Sequence, residues 1–310
     1  MGIAIIVPDR DMEGLQRALQ HRIPDLDGVW IYPNIPDYSL VEMAVVWKHP
    51  AGLLSSFPNL KGIQSFGAGV EHLLNDPDLP LGIPMARVVQ RAMTVSMRHY
   101  VGMAVLAIHK RMDYYRQNQV QGIWRVPDPV ELELRIGILG MGVLGEASAR
   151  FLAAMGFDVR GYSRSTKEIP GVQCVSSEKT SLSEFVRGVN VLVCLLPLTP
   201  DTEGILNYAL FNDMPEGSYL INAARGGHLI EDDLLRALSE GQLAGAYLDV
   251  FREEPLPVTH PFWRHPGVVI TPHSSSVTNV EEAIDVVVEN WRRTQKGMPL
   301  QYAVSKEKGY

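Results

Sequence analysis

Leu134-Arg135-Ile136-Gly137-Ile138-Leu139-Gly140-Met141-Gly142-Val143-Leu144-Gly145 is the stretch from which the rest of this chain is read. Residues 134–139 form a short, largely apolar run that reads as a strand. Three glycines follow in the spacing G-x-G-x-x-G, and the Ala-rich residues 146–155 read as a helix. A glycine triplet alone is weak evidence in a chain with 27 glycines. A strand before it and a helix after it, within one βαβ unit, make it a dinucleotide-binding loop. Gly140 allows the tight turn, Gly142 lets the backbone approach a pyrophosphate, and Gly145 permits close helix–strand packing. The helix start near Gly142 turns free N–H groups toward the phosphates. The whole loop, with Met141, Val143 and Leu144, is assigned to the cofactor.

The next strand, residues 158–162, decides which dinucleotide. An NAD site places Asp or Glu about 20 residues beyond the loop, on the ribose 2′-hydroxyl. Here the chain reads Tyr162-Ser163-Arg164-Ser165, with no carboxylate. An arginine between two hydroxyls offers charge-assisted hydrogen bonds to a 2′-phosphate. The expected cofactor is therefore NADP(H), with Arg164 as principal ligand, Ser163 and Ser165 assisting, and Lys167 adding charge.

Working outward, further buried strands are expected at 189–195, 218–222, 244–250 and 267–271, with a helix at 231–240. Upstream, 2–7, 43–47 and 61–66 read as strands and 12–22 as a helix; strand and helix in alternation argue for parallel sheets. Residues 96–121 read as one long helix with Val101, Val105, Ile108 and Met112 at helical spacing, a core or dimer helix. A last helix, 277–296, is too short to found a domain and is expected to pack back on the N-terminal part. The predicted architecture is α/β: two Rossmann-like, doubly wound parallel-sheet domains, the cofactor domain inserted in a discontinuous substrate domain. Residues 1–100 and 283–310 are assigned to the substrate domain and 101–282 to the dinucleotide-binding domain.

Composition narrows the partners. The 310 residues are 46% hydrophobic and 20% charged, as in ordinary globular proteins, and the formal net charge is −7. That acidity argues against nucleic acid or anionic membrane as a partner. No apolar run approaches the roughly 18–20 residues of a membrane span. Residues 1–8 read as a first strand rather than a signal peptide. Cys174 and Cys194 have no metal-ligand spacing, so no metal is expected. Both read as reduced thiols of a cytoplasmic protein.

Four further motifs occur in order: Leu196-Pro197-Leu198-Thr199-Pro200-Asp201-Thr202, Asn222-Ala223-Ala224-Arg225-Gly226-Gly227, Asp249-Val250-Phe251-Arg252-Glu253-Glu254-Pro255-Leu256 and Thr271-Pro272-His273-Ser274. With the glycine loop, they resemble the signatures of the D-isomer-specific 2-hydroxyacid dehydrogenases. The resemblance implies a catalytic set of Arg225, Glu254 and His273. A 2-oxo acid carries a carboxylate beside a ketone, and a guanidinium fork suits either oxygen pattern. Hydride addition leaves negative charge on the ketone oxygen, and His is suited to protonate it near neutral pH. A carboxylate on the ring would stabilise the imidazolium and fix its orientation.

The same resemblance implies that Ala68 and Gly69, in the turn Gly67-Ala68-Gly69-Val70, hold the substrate carboxylate through main-chain N–H groups. Ala223 and Asp249 take the positions that face the nicotinamide carboxamide, and Leu196, Pro197 and Thr199 line the cofactor. Within the family the chain looks most like the bacterial glyoxylate/hydroxypyruvate reductases, with Trp47 of Trp47-Lys48-His49-Pro50 walling a small substrate pocket. Trp124 resembles a residue that reaches toward a partner subunit, which implies a homodimer. The chain departs from the family pattern at Arg98-His99-Tyr100-Val101, where relatives often carry an acidic residue, and no role is assigned to His99. The leading expectation is NADPH-dependent reduction of glyoxylate and hydroxypyruvate. Bulkier 2-oxo acids such as phenylpyruvate remain open, as do an unusual dehydrogenase of phosphite type and a cofactor-sensing, corepressor-like binding protein.

Overall fold

The computed structural model describes residues 1–8 and 10–305. The chain divides into two units, Met1–Met93 with Thr278–Tyr310, and Thr94–Val277. Residues 306–310 of the segment 283–310 lie outside the described residues.

The smaller unit runs β1 (Gly2–Ile6), α1 (Glu13–Arg22), β2 (Gly28–Ile31), β3 (Val41–Val46), β4 (Gly62–Ser65), α2 (Glu71–Leu74) and β5 (Met85–Ala86). Its sheet has the order β2-β1-β3-β4-β5, and every pair is parallel. That is the flavodoxin-like doubly wound order. A parallel sheet is buried on both faces, and the period-2 geometry of a strand sorts residues between them. Ile3, Ile5, Met43 and Val45 pack against Leu15 and Leu19 of α1 and against Ile284, Val287 and Trp291 of the helix Val280–Gln295. Ala4, Ile6, Ala44, Val46 and Ile63 pack on the other face with Leu54, Phe57 and Leu73.

The larger unit begins within α3 (Arg91–His109) and continues with α4 (Met112–Gln121), β6 (Arg135–Leu139), α5 (Val143–Ala154), β7 (Asp158–Ser163), β8 (Gln173–Ser176), α6 (Leu182–Val186), β9 (Val191–Cys194), α7 (Tyr208–Asp213), β10 (Ser218–Asn222), α8 (Glu231–Ser239), β11 (Leu243–Leu248) and β12 (Val268–Ile270). The returning helix Val280–Gln295 is α9. The sheet order is β12-β11-β10-β9-β6-β7-β8, parallel throughout. The order reverses between β6 and β9, the topological switch point where such sheets bind ligands. One face packs Ile136, Ile138, Val191 and Val193 on Val101, Val105 and Ile108 of α3 and on Leu152 of α5. The other packs Leu192, Leu220, Ala246 and Leu248 on Phe211 of α7 and Leu234 of α8.

Two features differ from the sequence expectation. The single helix at 96–121 is broken into α3 and α4 at Arg111, whose backbone is left-handed (φ 54°). Its guanidinium donates to the Pro129 carbonyl at 2.9 Å and lies 5.3 Å over the Tyr114 ring. Helical spacing ends there in substance as well, because α4 buries no residue. The strands β2, β5 and β8 were absent from the expectation; each is two to four residues long, too short for alternation to register. Among the described residues no helix is long and apolar enough to cross a membrane.

Candidate active site

Because all seven strands of the larger sheet are parallel, their C-terminal ends share one edge. The loop after β6 is shaped sterically. Gly140 has φ +94°, and a Cβ there would sit 2.6 Å from the Leu195 carbonyl oxygen. A Cβ on Gly145 would sit 1.9 Å from the Gly140 carbonyl oxygen. A Cβ on Gly142 would meet nothing within 4 Å. Gly142 also caps α5 with no side-chain hydrogen bond, so no capping side chain occupies the first-turn amides. Met141 is buried beneath, against Gly161, while Val143 is exposed and Leu144 half-buried. A backbone cradle with open space above a helix N-terminus fits a dinucleotide pyrophosphate.

At the end of β7, the Ser163 hydroxyl donates to the Ser165 carbonyl at 2.8 Å, and its own carbonyl accepts from Ser177 N at 2.9 Å. This tightens the turn that carries Arg164 to the surface; Arg164 and Ser165 are exposed. Lys167 stands 4.0 Å from Glu146. The loop after β9 is held by Thr202, whose hydroxyl donates to Pro197 O at 2.7 Å and accepts from Thr199 N at 2.9 Å. Leu196, Pro197 and Thr199 are half-buried there.

The loops after β10, β11 and β12 are organised by polar contacts. Arg225 follows β10, half-buried, its carbonyl accepting from Asn222 Nδ2 at 3.1 Å and its Nη1 donating to Ala224 O at 2.6 Å. Ala223 beside it is buried. A Cβ on Gly226 would lie 1.9 Å from the Phe251 carbonyl carbon, so only glycine lets these two loops meet. Asp249 follows β11 and is fully buried. Its carboxylate accepts from Thr271 Oγ1 at 2.6 Å, Ser274 N at 2.9 Å and Ser275 N at 2.9 Å, and its carbonyl from His273 N at 2.8 Å. Tyr100 on α3 bonds Thr271 Oγ1 at 2.9 Å. Burial pushes its hydroxyl up to about 12, so it stays neutral.

These bonds surround a strained residue. His273 has φ +52°, a conformation that costs of order 1–3 kcal/mol outside glycine and persists only where its surroundings over-determine it. Its Nδ1 lies 2.8 Å from Glu254 Oε2, and Glu254 Oε1 accepts from Phe251 N at 3.1 Å. A carboxylate only accepts, so Nδ1 carries the proton and Nε2 is left for a further partner. The pair is neither buried nor fully solvated, at 38% and 27% side-chain exposure.

In the smaller unit, Trp47 follows β3 and its ring fills the space a Cβ on Gly67 would take, 2.3 Å from Cζ3, with the His72 ring 4.7 Å away. The Ser65 hydroxyl donates to Gly69 O at 2.8 Å and fixes the turn. Neither Ala68 N nor Gly69 N donates to an acceptor among the described residues. His99 is exposed and its ring lies 5.8 Å from Phe151. The supporting groups Tyr100, Thr202, Thr271 and Ser65 were assigned no role from sequence. Single Ser, Thr and Tyr residues carry no spacing signal, and only proximity in the fold shows their partners.

The model of the D-isomer specific 2-hydroxyacid dehydrogenase NAD binding domain matches residues 102–275. The chain belongs to the D-isomer specific 2-hydroxyacid dehydrogenase family. It is 44% identical over 296 residues to glyoxylate/hydroxypyruvate reductase A of Serratia proteamaculans, covering 94% of each chain. The enzyme of the same name from Yersinia enterocolitica is 43% identical over 280 residues, covering 88% of this chain and 89% of that one. Among solved structures, a D-isomer specific 2-hydroxyacid dehydrogenase from Xanthobacter autotrophicus in complex with NADPH and MES superposes with TM-score 0.93 at 36% identity, over 100% of this chain and 99% of that one. The NADPH-dependent glyoxylate/hydroxypyruvate reductase of Sinorhizobium meliloti, in complex with NADP and sulfate, gives 0.91 at 38% identity over the same shares.

Proposed function

We propose that this protein is an NADPH-dependent reductase of small 2-oxo acids, converting glyoxylate to glycolate and hydroxypyruvate to D-glycerate. The observation that carries the reading is His273, held in a left-handed backbone by Asp249 and paired through Nδ1 with Glu254. The reductases named above, and the NADPH and NADP in the solved relatives, support the substrate class and cofactor.

NADPH, when bound, supplies the hydride. Residues Gly140–Gly145 hold its pyrophosphate, Ser163, Arg164 and Ser165 its 2′-phosphate, and Leu196, Pro197 and Thr199 line it. Ala223 and Asp249 take the nicotinamide end, Asp249 through the loop it organises. Arg225 binds the substrate carboxylate or ketone oxygen through its planar fork. His273 delivers a proton from Nε2 to the ketone oxygen while Glu254 holds the ring and balances the imidazolium. The amides of Ala68 and Gly69 are donors for the carboxylate, and Trp47 limits the size of the side chain accepted.

On this reading Thr94–Val277 is the dinucleotide-binding unit, and Met1–Met93 with the returning C-terminal segment is the substrate unit. The active species is a homodimer. Met103, Leu106, Met112, Val120, Ile123, Trp124, Val126 and Val130 are all exposed, Trp124 completely, and apolar side chains concentrated in one segment suit a subunit interface. The setting is the cytoplasm, consistent with two free thiols. A steady-state panel of 2-oxo acids with NADPH and NADH tests the function. Fastest turnover of glyoxylate or hydroxypyruvate with NADPH is expected. Absence of turnover with every 2-oxo acid would sink the reading, and a preference for phenylpyruvate would displace the substrate.

A further inference from the structure

His228 ends the short 3₁₀ turn Gly226–His228 and is fully buried. A polar ring is costly to bury unless its nitrogens find partners. Here both nitrogens face carbonyl oxygens, on two different loops. Nδ1 lies 3.0 Å from the Arg225 carbonyl, and Nε2 lies 3.2 Å from the Pro197 carbonyl. Arg225 carries the guanidinium assigned to substrate, and Pro197 sits in the loop assigned to cofactor.

Each carbonyl has a donor besides the ring: Asn222 Nδ2 and the His228 main-chain N–H for Arg225, and Thr202 Oγ1 for Pro197. A neutral imidazole has one N–H. Whichever carbonyl receives it, the other keeps its own donor, so neither depends on His228 for satisfaction. What the ring adds is span: a rigid planar spacer between the two loops. The backbone continues the connection, since Gly204 N donates to Gly227 O and Leu206 N to His228 O, both at 2.9 Å. The turn 225–228 thereby grips the segment 197–206 by a side chain at one end and by main chain at the other.

We propose that His228 is a positioning residue that couples the cofactor loop to Arg225. Ordering of the loop 197–202 by the dinucleotide then fixes the Arg225 backbone and presets its guanidinium for a 2-oxo acid carboxylate. Coupling between two ligands is reciprocal, so substrate must tighten cofactor by the same factor. The proposal rests on the reading of these two loops given above.

The test uses His228→Phe, which keeps a ring without nitrogens, and His228→Asn, too short to span both carbonyls. Oxalate serves as probe, a dicarboxylate that NADPH does not reduce, with its affinity measured by calorimetry with and without NADPH. NADPH is expected to tighten oxalate binding to the unmodified protein. In both variants that factor should fall about fivefold, the scale of one neutral hydrogen bond. KM for glyoxylate and for NADPH should rise together while kcat at saturation is retained, a split that general loosening of the fold would not give.

A folded variant with an unchanged coupling factor overturns the proposal, as does an unmodified protein in which NADPH leaves oxalate affinity unchanged. If the Phe variant fails to fold, the Asn variant decides. If neither folds, His228 is a folding residue and the proposal is rejected. Absence of 2-oxo acid turnover by the unmodified protein would reject the function itself. Normal turnover with unchanged coupling rejects only the role of His228.

Discussion

The loop after β6 and the loop after β12 leave the same edge of the same sheet, yet one is shaped by side chains that are missing and the other by side chains that are bonded. At Gly140 and Gly145 a single Cβ would strike a carbonyl oxygen, while at Gly142 it would stand in open space. Around His273, Asp249 takes two amides and one hydroxyl, and Tyr100 stands behind that hydroxyl. On the proposed function, the difference follows from the ligands the two loops would serve. A pyrophosphate needs backbone N–H groups at close range, so side chains must be absent. A proton donor needs one nitrogen aimed within hydrogen-bond reach of the reacting atom, so side chains must hold it.

The comparison breaks most visibly at His273. His273→Ala should lower kcat with glyoxylate by about 10²-fold or more, the scale of a general acid, with NADPH affinity by fluorescence titration little changed. A variant with near-normal kcat would move the proton donor elsewhere. The glycine loop should break differently at its two ends. Gly145→Ala forces backbone apart and should cost about 1–3 kcal/mol of stability, read as a lower melting temperature without ligand. Gly142→Ala has room in the free protein and should shift stability by no more than about 0.5 kcal/mol, yet weaken NADPH binding about tenfold or more, because the Cβ enters the phosphate's place. Equal effects of the two substitutions on melting and binding would sink the steric account.

The same contrast explains what could be read from sequence. Steric demands leave a spacing, so the glycine loop, the strand before it and the helix after it were all legible, and with them the parallel fold. Arg225, Glu254 and His273 were legible only through the family resemblance, each standing inside one of the motifs that carry it. The groups that position them were not. Tyr100 reaches Thr271 across 171 residues, and His228 reaches Pro197 across 31; neither separation has a period. The long helix was misread at Arg111 because nothing in side-chain polarity forbids a left-handed arginine, and only its bond to Pro129 reveals it.

Between these extremes lies Arg164, at the turn after β7. It is a charged side chain like those around His273, but it stands exposed on a turn held by Ser163. Its contribution should therefore be smaller and confined to one phosphate. A hydrogen bond to a charged group contributes about 1.5–3 kcal/mol, and each 1.4 kcal/mol is tenfold in affinity. Arg164→Ala should then raise KM for NADPH roughly 10- to 100-fold, with the lower end favoured because solvent screens exposed charge. KM for NADH, which has no 2′-phosphate, should stay near its original value, and so should kcat with either cofactor. The same substitution should flatten the salt dependence of KM for NADPH, since screening acts only on a charge that is present. A variant that loses NADH and NADPH equally would mean that Arg164 supports the turn rather than the phosphate, and the cofactor preference would have to come from Lys167 or the flanking serines.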